Sequence, residues 1–134
     1  MDDLQLAYIN ELSKDPHNFG MLDAPSMTHE DNNPLCGDRI RIDLQVQDGV
    51  ITDVRFKGRG CSISQASASL LTDEIKGMPV EAAKQFKKED LLELIGIPLD
   101  RSPVRLKCAL LSLKVLKAGL YGVDSRETDD DEDF

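Results

Sequence analysis

The sequence predicts an α+β domain with helices packed on one face of an antiparallel sheet. Strand-type alternation is confined to the first half, helical periodicity fills the second, and a tight-turn signal joins two strands into a hairpin. A chain of 134 residues, 40% of them hydrophobic, suits one core and is short for two.

The elements follow in order. Leu4, Tyr8, Ile9 and Leu12 recur at helical spacing over residues 3–13, and Asp15-Pro16 ends that pattern. Gly20, Pro25 and Asn32-Asn33 break the next stretch into loop, with room for one short edge strand near residues 26–30. Ile40, Ile42, Leu44 and Val46 then alternate with Arg39, Arg41, Asp43 and Gln45, the period of a half-buried strand. Asp48-Gly49 marks a tight turn, and Val50, Thr52, Val54 and Phe56 continue the alternation as the second arm. With Val46 opposite Val50, the register sets Asp38 opposite Gly58 and Cys36 opposite Gly60.

Ser62 followed by Gln65 has the form of a capping box, so a helix is expected just after Cys61. Pro79 opens a short helix through Phe86, and a further one spans residues 88–95 before Gly96. The last helix starts at Pro103 and stops at Gly119 or Gly122. Cys108 lies on a stripe with Leu111, Val115 and Ala118, and the opposite face carries Lys107, Lys114 and Lys117.

The formal charge of −9 is uneven. Residues 124–134 hold seven acidic groups and one arginine, a net of −6, and read as an acidic disordered tail behind a folded domain of residues 1–123. A chain this acidic lacks the basic footprint of a nucleic-acid binder, and no apolar run is long enough to span a membrane. Three cysteines, an odd number, speak against disulfide stapling and for reduced thiols, as in the cytoplasm.

Those cysteines are the chemically informative residues. Cys36-Gly37-Asp38 and Gly60-Cys61 fall at the same open end of the hairpin, and Cys61 precedes a helix N-terminus, where backbone N–H groups favour an anion such as a thiolate. Cys108 lies far away in sequence, in the last helix. Three thiols and one carboxylate make a four-donor set that suits zinc or iron–sulfur chemistry, although their spacing is not that of a zinc finger. His17 and His29 are isolated, and Ser64, Ser67 and Ser69 have no histidine nearby in the sequence, so packing is the expected role of these serines.

The runs Asn33-Pro34-Leu35-Cys36-Gly37-Asp38, Gly58-Arg59-Gly60-Cys61-Ser62-Ile63-Ser64 and Arg105-Leu106-Lys107-Cys108 resemble the U-type iron–sulfur assembly proteins: IscU, SufU and the N-terminal domain of NifU. The resemblance spans about residues 2–120 and implies a three-stranded antiparallel sheet with the site at one end. It also implies that Cys36, Asp38, Cys61 and Cys108 bind a metal or a nascent cluster. Lys107, where scaffold members carry histidine, together with Arg105 looks like the SufU branch of zinc-dependent sulfurtransferases. That branch implies bound zinc, a cysteine desulfurase as partner, Cys36 as sulfur acceptor, and delivery to downstream assembly or acceptor proteins. The scaffold branch implies a transient [2Fe–2S] cluster on the same four side chains. Arg105 and Lys107 are then expected to offset the charge of the ligand set, and Tyr8 with the first helix to join the desulfurase docking surface.

Overall fold

A computed structural model describes residues 3–33, 37–96 and 103–121. Cys36, the helix stop at Gly122 and the segment 124–134 lie outside the described residues. Among those described, the order is α1 (Asp3–Lys14), β1 (Met27–Asn33), β2 (Asp38–Gln47), β3 (Val50–Arg59), α2 (Ser62–Ile75), α3 (Val80–Lys84), α4 (Lys88–Ile95) and α5 (Pro103–Tyr121). The strands form one antiparallel sheet in the order β1-β2-β3.

One face of the sheet is fully buried through Ile40, Ile42, Leu44, Val54 and Phe56. Helix α5 packs on β1 and β2, α2 packs on β3, and α1 lies on α2. Fully buried side chains of this size each contribute about 1.5–3 kcal/mol, so the hairpin and α5 hold most of the core. In α1 only Ile9 and Leu12 reach that core; Leu4 and Tyr8 are exposed.

The expected hairpin register is corrected by the turn. Asp48 and Gly49 have φ of 53° and 77°, the left-handed pair that a two-residue hairpin loop requires. Gln47 therefore pairs with Val50, not Val46. A bulge beside Gln45 and Val46 then leaves Thr52 unpaired, and the ladder runs from Gln45 opposite Asp53 to Ile40 opposite Gly58 and Arg39 opposite Arg59. The same bulge turns Ile51 inward and Thr52 outward, against the simple alternation. The slip moves Gly58 from its expected partner Asp38 to Ile40, and both chain segments still meet at one end.

Two further expectations change. Cys61, not Ser62, is the N-cap of α2, and it makes no side-chain cap hydrogen bond; Ser64 Oγ instead donates to the Cys61 carbonyl at 3.1 Å. The lysine face of α5 is exposed at Lys107 but covered farther along. Strand β1 lies along it, so Lys114 is buried with its Nζ 3.8 Å from Asp31, and Lys117 is half-buried. Burial lowers the Lys117 ammonium from its ordinary range, against an opposing pull from Asp90.

The outer face of the sheet carries a polar anchor. Asp43, almost wholly buried, accepts hydrogen bonds from Arg41 Nε at 2.9 Å, Thr28 Oγ1 at 2.5 Å and the Leu22 N–H at 3.0 Å. Burial pushes its carboxyl up, but these donors and the Arg41 charge outweigh that and hold it below the ordinary carboxylate range. The loop before β1 is tied down elsewhere as well. Phe56 N–H donates to the Asn18 carbonyl and Gly20 N–H to the Phe56 carbonyl, which pairs the outer edge of β3.

Candidate metal centre

Three elements end at one point. Strand β2 begins with Asp38, α2 is capped by Cys61, and the second turn of α5 carries Cys108. One donor atom from each lies within 4.8 Å of the other two. Asp38 and Cys108 are buried and Cys61 is exposed, so the group has a protein floor and a solvent-facing mouth.

Backbone geometry holds the carboxylate in place. Asp38 Oδ1 accepts the Cys61 N–H at 2.9 Å, and Oδ2 lies 3.7 Å from Cys61 Sγ. The acid therefore sits at the N-terminal end of α2, where the helix dipole favours negative charge. Gly60, with φ of 148°, lies against that carboxylate so closely that a Cβ there would overlap it. On the far side, Asn33 Nδ2 is 3.9 Å from Cys108 Sγ and directs its N–H at the sulfur. Asn33 is buried at the end of β1, and a donor so placed stabilises a thiolate.

Two sulfurs and a carboxylate oxygen fit a thiophilic divalent ion. Ligand bonds of about 2.3 Å to sulfur and about 2.0 Å to oxygen put tetrahedral donor atoms roughly 3.5–3.8 Å apart. The 3.7 Å from Cys61 Sγ to Asp38 Oδ2 already matches, and the 4.8 Å bound leaves about 1 Å of closure for the rest.

Of the residues expected from sequence, Asp38, Cys61 and Cys108 come together. Arg105 and Lys107 are exposed on the first turns of α5. Neither histidine joins the group: His17 Nδ1 lies 2.6 Å from Asp73 Oδ2 on α2, and His29 sits in β1. Sequence reasoning assigned no role to Asn33, although it opens the run that contains Cys36 and Asp38. It also missed Gly60 as the residue that makes room for the acid.

Comparison with known proteins gives a consistent picture. Residues 7–130 match the family model described as NifU-like N terminal domain. The chain is 37% identical to the zinc-dependent sulfurtransferase SufU of Bacillus subtilis, over 90% of this chain and 91% of that protein. It is also 37% identical to the iron–sulfur cluster assembly scaffold protein IscU of Rickettsia prowazekii, over 80% of this chain and 82% of the relative. The N-terminal domain of a NifU-like protein from Brucella abortus superposes with a TM-score of 0.71, covering 86% of this chain and 90% of that one at 20% identity, which speaks for the fold. The fold, the converging thiols and carboxylate, and these matches together place the chain in the NifU-like N-terminal domain family, alongside IscU and SufU.

Proposed function

We propose that the protein works in iron–sulfur cluster assembly as a SufU-type sulfur carrier. In this reading it binds zinc through Cys36, Asp38, Cys61 and Cys108 and accepts persulfide sulfur from a cysteine desulfurase. The observation that carries the reading is the clustering of Asp38, Cys61 and Cys108, in a chain that matches a zinc-dependent sulfurtransferase over nine-tenths of its length. Cys36 is the fourth donor in this reading, and its place in the chain supports that role. It is two residues from Asp38, so their Cα atoms are no more than about 7 Å apart.

When bound, zinc supplies the positive charge that keeps the thiols deprotonated. The chain does the rest. Asp38, held by the Cys61 N–H, is a harder and weaker ligand for a soft ion than a fourth thiolate, which favours exchange at the site. Cys36, beside Gly37, is the thiolate that attacks the terminal sulfur of the desulfurase persulfide. Its sulfur forms the new S–S bond, the old S–S bond breaks, and the desulfurase cysteine leaves as thiolate, with no net oxidation. The Asn33 amide steadies Cys108 as that exchange proceeds. Arg105 and Lys107, exposed on α5, offset the negative charge of the ligand set and face the incoming partner. The sulfur then passes to downstream assembly or acceptor proteins. Reduced thiols suit a cytoplasmic setting, and among the described residues no helix is long and apolar enough to cross a membrane.

A second reading is an IscU-type scaffold that holds a transient [2Fe–2S] cluster as its cargo on the same side chains. The IscU matches at 37% and 38% identity favour it, as does a carboxylate in place of a fourth thiolate, which eases release. The test is metal analysis of protein purified under reducing conditions, paired with a desulfurase rate assay. The expected result is one zinc per chain and stimulation that Cys36→Ser abolishes. A cluster that forms on anaerobic reconstitution and passes to an apo-acceptor, without stimulation, would overturn the carrier reading in favour of the scaffold.

A further inference from the structure

Strand β1 lies at the edge of the sheet and carries a single apolar residue, Met27. Its burial alternates, so Met27, His29, Asp31 and Asn33 are the inward residues, and each of them meets α5. Met27 and His29 lie against Gly119. Asp31 Oδ2 is 3.8 Å from Lys114 Nζ, and Asn33 Nδ2 is 3.9 Å from Cys108 Sγ. The contacts therefore run along strand and helix in opposite directions, about 20 Å of strand beside about 17 Å of helix. Three of the four inward residues are polar, so apolar burial secures only the Met27 end. Asn33 sits at the other end, where its N–H reaches the candidate metal centre.

We propose that Lys114 and Asp31 are positioning residues of that centre: their ion pair clamps the end of β1 to α5 and so keeps the Asn33 amide on Cys108. Asp31 is two residues from Asn33 and on the same face, and the paired side chains are only 8% and 11% exposed. A buried ion pair adds little net stability, because desolvation offsets the attraction, but it penalises every arrangement that separates the charges. Lifting the end of β1 is such an arrangement, since it takes Asp31 away from the buried Lys114 ammonium. Strand ends with few apolar contacts otherwise open at low cost. The inference rests on Cys108 as a metal ligand, as proposed above, whereas the clamp itself needs no metal. In that reading the donor set is strongly anionic, and Arg105 and Lys107 are exposed, so an N–H held on the buried sulfur offsets charge from inside the protein.

The test has two readouts on the full chain: Co²⁺ affinity with its visible absorption bands, and amide hydrogen exchange of the metal-free protein. Lys114→Met should weaken Co²⁺ binding about tenfold and shift the bands, the usual effect of losing an outer hydrogen bond to a metal ligand. It should also speed exchange at residues 31–33 and leave the β2–β3 hairpin unchanged. Asn33→Leu should likewise cost about tenfold in affinity. Because Lys114 acts through Asn33, the two changes together should again cost about tenfold, not the roughly hundredfold of independent sites. Lys114→Arg keeps the charge and should behave as the native chain. Asp31→Asn with Lys114→Met leaves no buried charge unpaired by the change, so this variant should keep the native urea midpoint and still exchange fast at Asn33. About a hundredfold loss in the Lys114/Asn33 double variant, or exchange that rises evenly across the sheet, would overturn the proposal. If the native chain takes up no Co²⁺, the metal reading fails on its own. Fast exchange confined to residues 31–33 in Lys114→Met would then still support the clamp, and unchanged exchange would overturn it.

Discussion

The two ends of the β2–β3 hairpin are built from the same two residue types, and they do opposite things. At the closed end, Asp48-Gly49 turns the chain; Asp48 is exposed, and a Cβ on Gly49 would meet no atom within 4 Å. At the open end the order is Gly37-Asp38, and Asp38 is fully buried, bonded to the Cys61 N–H and pressed against Gly60. The first pair needs glycine for its φ alone, whereas the second end needs it for φ and for space. An aspartate beside a glycine is therefore a turn residue or a candidate ligand according to what packs over it, here the N-terminus of α2 and the side of α5 at Cys108.

The substitution that should break this contrast hardest is Gly60→Ala. Its φ of 148° is strained for any L side chain, and its new Cβ would displace the Asp38 carboxylate. We expect a cost of about 3 kcal/mol in chemical denaturation and zinc content falling from one per chain to near zero. Asp38→Asn probes the same end more gently. An amide oxygen still accepts the Cys61 N–H, so the fold should lose only about 1–2 kcal/mol. Without the charge, zinc affinity should drop 100-fold or more, about 2.7 kcal/mol, in a competition titration.

A second contrast separates two buried aspartates on the same strand. Asp38 faces the core side and the candidate metal centre, and Asp43 faces the outer side and anchors the loop before β1. Asp43→Asn should cost about 2–3 kcal/mol at neutral pH and leave zinc binding unchanged. The pH dependence has a definite sign. Because the folded carboxyl lies below its ordinary range, its stabilising effect is full above the unfolded value near ~3.9 and fades as pH falls through the folded one. Urea midpoints of native protein and variant should differ most above about pH 5 and converge in acid. A constant gap down to pH ~2 would show that packing, not charge, holds the anchor.

The elements were legible because their signals are local: alternation in residues 39–46, Asp48-Gly49, and Pro103 at the first position of α5. The register was not, since a bulge at Gln45 and Val46 leaves no trace in the hydrophobic pattern until Thr52 is seen outside and Ile51 inside. Lys114 also misled, because β1 is polar in sequence and gives no hint that its Asp31 lies beneath that lysine. Of the site, Asp38 and Cys61 could be brought together from the hairpin alone. Cys108 could not, since nothing local in α5 says which side of the helix meets the hairpin end, and only the resemblance linked it to the others. Asn33 escaped because a side-chain amide at a strand end has many uses, and only the packing shows it aimed at a sulfur.

The mildest test returns to the closed end. Gly49→Ala makes the same chemical change as Gly60→Ala, at φ of 77° and with open space around the new methyl. Strain alone should then cost about 1 kcal/mol, read as a small fall in the thermal midpoint, with zinc content held at one per chain. The pair contrasts a glycine with open space around it and one that carries a carboxylate against it, at φ of 77° and 148°. Equal losses of zinc from the two variants would mean that hairpin stability, not room for Asp38, governs the metal centre. A tenfold or greater difference would assign the effect to the Gly60 position, where Asp38 packs, and not to hairpin stability.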